Sequence, residues 1–240
     1  MFQVHVILPE NRILYQSQLE DMFRQRYDVF VNRLKWDLPD TDHINHLEID
    51  AYDKPDTIYL LVLRDGMVVG ASRMIPTTGQ TMMGDLFPEL CPNGLPTGTS
   101  IWEWSRAHAK PDEPHQIRSN VINHIFMSGY EFAYKARIAG LTAQVNAREM
   151  DRWLGRGLVV DVLGPPHAYN HGEDILALQH HISAAALVRV RQETGLADPV
   201  LRLVQIPGQI SLDQLEKQAS EGADEFLLPG KLASSTGPAT

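Results

Sequence analysis

The chain has 240 residues, 43% of them apolar, and a formal net charge of −9. This length fits one large domain or one domain with an extension, and the negative charge excludes the general basic field that attracts nucleic acid. The single cysteine, Cys91, excludes an internal disulfide framework and a multi-cysteine metal site, and it fits a reducing cytoplasm.

The first half of the chain predicts a strand, a helix and a hairpin. Apolar residues at three- and four-residue spacing indicate the helix, and Asp65-Gly66 between two β-rich runs indicates the hairpin. The first residues are too few and too polar for a signal peptide, and no window approaches the roughly 18 apolar residues of a membrane span. The predicted elements are a strand over 2–8, a helix over 17–34, a loop over 37–53, strands over 57–63 and 67–74, and a short helix over 82–90.

The second half alternates strands with helices and ends in a polar tail. Residues 207–228 predict an amphipathic helix, and the Gly-, Ser-, Pro- and Thr-rich stretch from about 229 predicts disorder. The other predicted elements are strands over 100–108, 141–146, 158–163, 173–181 and 200–206, and helices over 115–138, 147–155 and 183–194. Together the elements predict an α+β sandwich, in which helices cover a mixed, mostly antiparallel sheet.

Charged residues in apolar surroundings mark the candidate site. Glu103 and Arg106 lie in a β-forming run with two tryptophans, where an unpaired buried charge is costly. Arg26 lies on the apolar stripe of its helix, and Arg73 lies between apolar β positions. The ordinary interpretation is a snorkelling Arg26 and a solvent-facing Arg73 on an edge strand. The functional interpretation is a set of guanidinium groups held in one cleft.

Glu103 and Arg106 would point to opposite faces of a regular strand, because successive side chains alternate. They can share a cleft only if a β-bulge adds a residue between them, and bulges are common beside active sites. Otherwise one of the two residues faces the surface.

Three acidic residues, Glu48, Asp50 and Asp53, precede the first hairpin strand. Such a run is most often a solvated loop, but it can also hold an ammonium or sulfonium group, or pair with the two arginines upstream and downstream. The sequence has no Gly-rich phosphate loop and no nucleophile elbow, and its histidine pairs lack the further ligands of a zinc site.

The spacing of these residues resembles the acyl-homoserine-lactone synthase family, whose members make quorum-sensing autoinducers. The match covers about residues 15–110 with every spacing kept, whereas the second half resembles the family in outline and in Gly164-Pro165-Pro166. The family motifs are matched in order by Arg26, Phe30 and Trp36, by Asp50 and Asp53, by Gly70-Ala71-Ser72-Arg73-Met74-Ile75-Pro76-Thr77-Thr78, by Phe87, and by Glu103-Trp104-Ser105-Arg106.

Two positions depart from the family pattern. Ala107, followed by His108, stands where the family usually has Phe, which predicts an enlarged or reshaped acyl pocket. Asn146 stands where members that make 3-oxo products often carry Thr, which favours an unsubstituted or unusual acyl group.

The resemblance implies a three-layer α/β/α sandwich of the acetyltransferase-like (GNAT) fold. Its sheet splays between the fourth and fifth strands, here 100–108 and 141–146, and receives the acyl chain there. The implied organisation is one synthase domain over 1–206 and a C-terminal extension over 207–240, of which the last ~10 residues are expected to be disordered.

The implied reaction joins S-adenosylmethionine to an acyl thioester. The amine attacks the thioester carbonyl, and the carboxylate then displaces methylthioadenosine and closes the lactone, so the enzyme supplies proximity, deprotonation and oxyanion stabilisation but no nucleophile. The residues implied as catalytic are Glu103 as the base, Arg26, Arg73 and Arg106 as grips on the substrate carboxylate or locks on the acidic loop, and Asp50 and Asp53 as partners of the ammonium or of those arginines.

The residues implied in substrate binding are Phe30, Trp36 and Trp104 as aromatic walls of the adenosylmethionine pocket, together with Phe87, Ser105 and Asn146. S-adenosylmethionine is expected as a substrate, with no cofactor and no metal. The acyl donor is either acyl carrier protein or acyl-coenzyme A, and we expect no nucleic-acid partner, no membrane span and a cytoplasmic location. An acidic carrier protein would need a basic surface; the candidates, which otherwise are ordinary solvated helix faces, are Lys135, Arg137, Arg148, Arg152 and Arg156.

Two other functions fit the same sequence. One is a coenzyme A-dependent N-acyltransferase of the same fold with a different amine acceptor, which would have no need of the acidic pair and the three arginines. The other is a non-catalytic family member that only binds an acyl or adenosyl ligand, which the departure at Ala107-His108 favours.

Overall fold

The computed structural model describes residues 1–38, 41–150, 154, 158–169 and 173–204. The predicted extension over 207–240, with its amphipathic helix and disordered end, lies outside these residues, as does part of the helix predicted over 147–155. Within the described ranges, no helix is long and apolar enough to cross a membrane.

The strands and helices follow the predicted order along the chain. The strands are β1 Phe2–Ile7, β2 Ile58–Arg64, β3 Met67–Pro76, β4 Ile101–Ala109, β5 Gly140–Asn146, β6 Val160–Val162, β7 His167–Tyr169, β8 Glu173–His181 and β9 Leu201–Arg202. The α-helices whose bounds lie within the described residues are α1 Gln16–Arg26, α2 Met82–Leu86, α3 His115–Lys135 and α4 Ala184–Thr194. The three-residue strand β7 was not predicted, because a segment this short leaves little alternation to detect.

The helix predicted over 17–34 consists of two kinds of helix. After α1 the chain continues as a π-helix over Tyr27–Arg33. The spacing of apolar residues did not distinguish the α-helix from the π-helix, because both helices bury apolar side chains, including Phe30 in the π-helix. π-Helical turns are rare and are often found at functional sites.

The sheet is mixed and mostly antiparallel, as predicted. Its strand order is β6-β8-β5-β4-β3-β2-β1-β9, with β7 beside β8. The parallel pairs are β4 with β5 and β1 with β9. On one face, α3 and α4 pack on a large apolar core that includes Trp102 and Trp104. On the other face, α1 packs near Tyr59 and Leu61, and α2 packs near Ile75. These three layers confirm the predicted α/β/α sandwich.

The fourth and fifth strands splay apart after a short paired start. β4 and β5 are paired only from Ile101 opposite Gly140 to Glu103 opposite Thr142. Residues 104–109 and 143–146 therefore leave a gap in the sheet, at the place where the family resemblance puts the acyl chain.

The bulge required by the alternation of β4 is present, and it lies at Arg106 itself. Ala71 is opposite His108 and Arg73 is opposite Ser105, so two residues of β4 oppose the single residue between them on β3. Arg106 has a φ of 54°, in the left-handed region, which costs a non-glycine residue about 1–3 kcal/mol unless its surroundings hold it. The bulge turns Arg106 to the α1 side of the sheet, which is also the side of Glu103.

Candidate active site

Three arginines and three carboxylates form one buried cluster on the α1 side of the sheet. The arginines come from the end of α1, from β3 and from the bulge of β4, and the carboxylates come from the loop before β2. The members of this arginine–carboxylate cluster are Arg26, Arg73, Arg106, Glu48, Asp50 and Asp53.

Each carboxylate of the cluster bridges two arginines. Arg26 donates two parallel hydrogen bonds to Asp53, at 2.8 and 2.9 Å, and a third bond from Nε to Glu48. Arg106 Nη2 lies 2.9 Å from Glu48 Oε1 and 2.8 Å from Asp50 Oδ2. Arg73 completes the ring by donating to Asp50 and by lying 3.1 Å from Asp53.

Two carboxylates of the cluster, Glu48 and Asp53, stay ionised far below neutral pH. Burial alone raises the pKa of Glu48, but Arg26 and Arg106 outweigh it and lower that pKa to about 2. Burial also raises the pKa of Asp53, but Arg26 and Arg73 outweigh it and hold that pKa well below its usual range. Three positive and three negative charges therefore offset one another within the fold. These contacts hold the acidic loop in place, which is one of the two roles predicted for the arginines.

Glu103 differs from the carboxylates of the cluster because none of the described arginines forms an ion pair with it. Its side chain is 1% exposed, and Oε2 accepts a hydrogen bond from the Met83 N–H at 2.8 Å. Oε1 is buried and has no hydrogen-bond partner among the described residues. Burial raises the pKa of Glu103, and the Met83 N–H and Arg73 only partly oppose that effect. A carboxylate with a raised pKa and an unused oxygen is suited to accept a proton.

Two arginines also have donors that the carboxylates do not use. Arg73 Nε donates to Ser105 Oγ at 3.1 Å, and its Nη2 is buried without a partner among the described residues. Arg106 Nη1 lies 3.1 Å from the Sδ atom of Met82, which is a weak acceptor. Ser105 and the two arginines thus share the side of β4 that carries Glu103.

An aromatic wall lies beside the cluster and contains three of the predicted substrate-binding residues. Phe30 and Trp36 stack with their ring centroids 4.9 Å apart, and the Arg106 guanidinium lies 5.3 Å from the Phe30 ring. Tyr169 joins Trp36 to Phe87, with centroid distances of 6.3 and 5.2 Å. No pattern in the sequence predicts a role for Tyr169, since it lies on the short strand β7.

Trp104 is not part of this wall, although it was predicted to line the adenosylmethionine pocket with Phe30 and Trp36. It lies between Glu103 and Ser105, so alternation along β4 turns it to the α3 side of the sheet. There its ring contacts Phe126 and His180 edge-to-face, with centroid distances of 5.7 and 5.8 Å.

Asn146, also predicted to bind substrate, makes two hydrogen bonds at the end of a strand. It ends β5, where its Oδ1 accepts the Arg148 N–H and its Nδ2 donates to Glu173 at 2.9 Å. The β5 residue opposite Glu103 is Thr142, which is fully buried and donates to the Trp102 carbonyl at 3.4 Å. Asn146 therefore lies four residues beyond the β5 residue that is opposite Glu103.

His108 contacts the cluster through the backbone of Arg106. Its Nδ1 donates to the Arg106 carbonyl at 2.9 Å, and its ring meets Phe30 edge-to-face. Burial lowers the pKa of His108 to about 4, so the ring is neutral at physiological pH. Within the described part of the chain, no group of three or more His, Cys, Asp or Glu residues is arranged to hold a metal ion.

Comparison with known proteins places similar sequences and structures in one group. The sequence model of a family described as autoinducer synthase matches residues 10–189. The chain is 35% identical over 196 residues to the isovaleryl-homoserine lactone synthase of Bradyrhizobium diazoefficiens, covering 80% of this chain and 81% of that protein. It is 30% identical to an acyl-homoserine-lactone synthase of Pseudomonas aeruginosa, covering 69% of this chain and 80% of that one.

Two solved structures are similar over most of their length. One is the coenzyme A-dependent acyl-homoserine lactone synthase BjaI with S-adenosylmethionine and isopentyl-CoA. Its TM-score is 0.78 at 28% identity, over 92% of this chain and 100% of that one. The other is the coenzyme A-dependent acyl-homoserine lactone synthase MesI, with a TM-score of 0.75 at 30% identity, over 83% of this chain and 98% of that one.

Proposed function

This chain belongs to the autoinducer synthase family, and we propose that Glu103 and the arginine–carboxylate cluster form its active site. The chain synthesises an N-acyl-L-homoserine lactone from S-adenosylmethionine and an acyl thioester, and it releases methylthioadenosine. The observation that supports this site best is Glu103, a buried carboxylate with a raised pKa and an unused oxygen, at the mouth of the gap between β4 and β5.

Glu103 starts the reaction by taking a proton from the substrate ammonium through a water molecule. The freed amine attacks the thioester carbonyl, so that a C–N bond forms and the C–S bond breaks. The sulfur leaves as a thiolate and takes up the second proton of the nitrogen, which gives the amide and the free thiol. The substrate carboxylate then attacks its own γ-carbon, the bond from that carbon to the sulfonium breaks, and methylthioadenosine leaves with the electron pair. Each step needs orientation and charge stabilisation more than it needs an enzyme nucleophile.

The two substrates meet beside Glu103. The aromatic wall of Phe30 and Trp36 lies on the α1 side, where ring faces favour a sulfonium. The unused donors of Arg73 and Arg106 lie on the same side and suit the substrate carboxylate or the developing oxyanion. The acyl chain enters the gap beyond Glu103, so its carbonyl stays beside the base.

Coenzyme A is the acyl donor in this proposal. Two similar solved structures are described as coenzyme A-dependent synthases. A net charge of −9 disfavours docking of an acidic carrier protein. S-adenosylmethionine is consumed in the reaction, so this chemistry needs no resident cofactor, and we propose that it takes place in the cytoplasm.

The function is tested with the purified chain, S-adenosylmethionine and a panel of acyl donors, each supplied as a coenzyme A thioester and as a carrier-protein thioester. Mass spectrometry is expected to find acyl-homoserine lactone and methylthioadenosine in equal amounts, with the coenzyme A thioesters turned over faster. Amide formation on another amine would support the rival N-acyltransferase. Binding without any product would support a non-catalytic protein, and either result would overturn the synthase proposal.

Ala107 is expected to set part of the width of the acyl gap. Arg106 and His108 face the α1 side, so Ala107 faces the other side, and it is exposed because β5 no longer lies beside it. In Ala107→Phe the new ring enters the gap, and kcat/KM for the bulkiest accepted acyl donor is expected to fall by about 10- to 200-fold, more than for the smallest donor. Ala107→Ser, which adds little volume, serves as the control. An unchanged order of donors in Ala107→Phe would show that this position does not line the gap.

A further inference from the structure

We propose that His108 is a positioning residue that holds Arg106 in the bulge of β4 and so keeps its guanidinium in place for the carboxylate of S-adenosylmethionine. This inference rests on the proposed function and adds a residue to the same site. The contacts that support it run from the His108 ring to the backbone of Arg106 and to the ring of Phe30.

The bulge of β4 places a demand on Arg106 that few residue types meet. Arg106 and Ala107 together oppose Ser72 on β3, and the φ of Arg106 is 54°. A bulge residue in this left-handed region is usually a glycine, because a Cβ atom is crowded there. The bulge also interrupts the ladder of backbone hydrogen bonds, so the polar backbone groups of Arg106 need partners from elsewhere.

His108 supplies one of these partners. It is the residue at which β4 resumes regular pairing after the bulge, opposite Ala71. Its Nδ1 donates to the Arg106 carbonyl at 2.9 Å. Because burial lowers the pKa of His108 to about 4, the ring is neutral at physiological pH and carries one proton. The carbonyl can only accept, so that proton is on Nδ1 and the hydrogen bond fixes the tautomer.

The same ring also holds the aromatic wall against Arg106. The His108 ring lies edge-to-face with Phe30, at a centroid distance of 6.0 Å, and the Arg106 guanidinium lies 5.3 Å from the Phe30 ring. The three residues therefore contact one another in a closed set. If the Arg106 backbone left the bulge conformation, both contacts of His108 would change. Arg106 Nη1, which lies beside the weak acceptor Sδ of Met82, would then move with its backbone.

The second ring nitrogen of His108 makes the hydrogen bond to Arg106 separable from other effects. Nε2 is buried and has no hydrogen-bond partner among the described residues. In His108→Asn, the amide nitrogen takes the position of Nδ1 and can donate to the same carbonyl. His108→Leu has the same branched skeleton as the asparagine variant but no donor. The two variants therefore differ in this one hydrogen bond.

The test measures kcat and KM for S-adenosylmethionine in the full-length enzyme at a saturating acyl-CoA concentration. In His108→Leu, the KM is expected to rise about tenfold, which is the effect of losing roughly one hydrogen bond. Its kcat is expected to change less than about threefold, because the lost contact orients a binding group. In His108→Asn, the KM is expected to stay within about threefold of the wild-type value, because the donor is restored.

His124→Leu is the matched control for the loss of a buried histidine contact. His124 Nδ1 likewise donates to a backbone carbonyl, that of Asn120 at 2.8 Å, and its ring lies 5.0 Å from the ring of Phe2. It lies on α3, which packs on the other face of the sheet from the cluster. Its replacement is expected to lower Tm without raising the KM for S-adenosylmethionine.

Three results would overturn the inference: an unchanged KM in His108→Leu, an equal rise in His108→Asn, or an equal rise in His124→Leu. If His108→Leu does not fold, His108→Gln replaces it. Its amide nitrogen takes the position of Nε2 rather than Nδ1, so its KM is expected to rise, and an unchanged KM would overturn the inference. Failure of the proposed function is distinct, because the wild type would then make no lactone, while the calorimetric Kd of S-adenosylmethionine still compares the variants.

Discussion

Replacing Glu103 with Gln is expected to lower kcat for lactone synthesis by about 10²- to 10⁴-fold, the usual contribution of a general base. The amide has the same shape and its oxygen still accepts the Met83 N–H, so the fold around α2 is kept. It cannot take a proton from the substrate ammonium. The Kd of S-adenosylmethionine, measured by calorimetry, is therefore expected to change far less than kcat.

Glu131→Gln is the matched control for this change. Glu131 is also 1% exposed, and its Oε2 likewise accepts one backbone N–H, that of Val200 at 3.0 Å, but it lies on α3 away from the gap between β4 and β5. Its replacement tests the general cost of exchanging a buried carboxylate for an amide. Equal losses of kcat in the two variants, or full activity in Glu103→Gln, would remove Glu103 as the base.

Replacing Arg26 with Ala is expected to destabilise the fold by about 3–5 kcal/mol, because Glu48 and Asp53 would lose the partner that offsets their buried charge. For a domain of this size, such a change corresponds to a fall in Tm of about 6–20 °C. The matched control is Arg24→Ala on the same helix. Arg24 is half-exposed and pairs with Glu20 at the surface, so its loss is expected to cost no more than about 1 kcal/mol.

Thermal unfolding and the KM for S-adenosylmethionine together separate the two roles predicted for Arg26. If Arg26 locks the acidic loop, Tm falls and substrate binding is lost as a consequence. A raised KM with an unchanged Tm would instead mean that Arg26 grips the substrate carboxylate, and it would contradict the structural role assigned here.

The sequence was most informative where local chemistry and alternation leave few options. Asp65-Gly66 predicts the hairpin because both residues take positive φ values, which this turn requires. The bulge of β4 was predicted because Glu103 and Arg106 would point to opposite faces of a regular strand. The structure places the bulge at Arg106. The family resemblance also brought the three arginines and the acidic loop into one proposed site.

The sequence was least informative where a partner comes from elsewhere in the chain. The alternation that required a bulge for Arg106 also turns Trp104 to the other face, away from the aromatic wall of Phe30 and Trp36. Thr142 stands opposite Glu103, because the register of β5 depends on pairing that spacing does not encode. Tyr169 contacts Trp36 through tertiary packing of the short strand β7, for which no local pattern exists.

The pH dependence of kcat/KM for lactone formation, measured in parallel for the wild type, Glu103→Gln and Glu131→Gln, tests the proposed base most directly. Burial raises the pKa of Glu103 above the ordinary glutamate value of 4.5, whereas Glu48 keeps a pKa of about 2 and stays ionised across that range. A base must be deprotonated to act, so wild-type activity is expected to rise with pH through an apparent pKa above 4.5 and then level off. Glu131→Gln should keep this rise, and Glu103→Gln should lose it together with most of the activity. The same rise in Glu103→Gln, at wild-type rates, would contradict the assignment of Glu103 as the base.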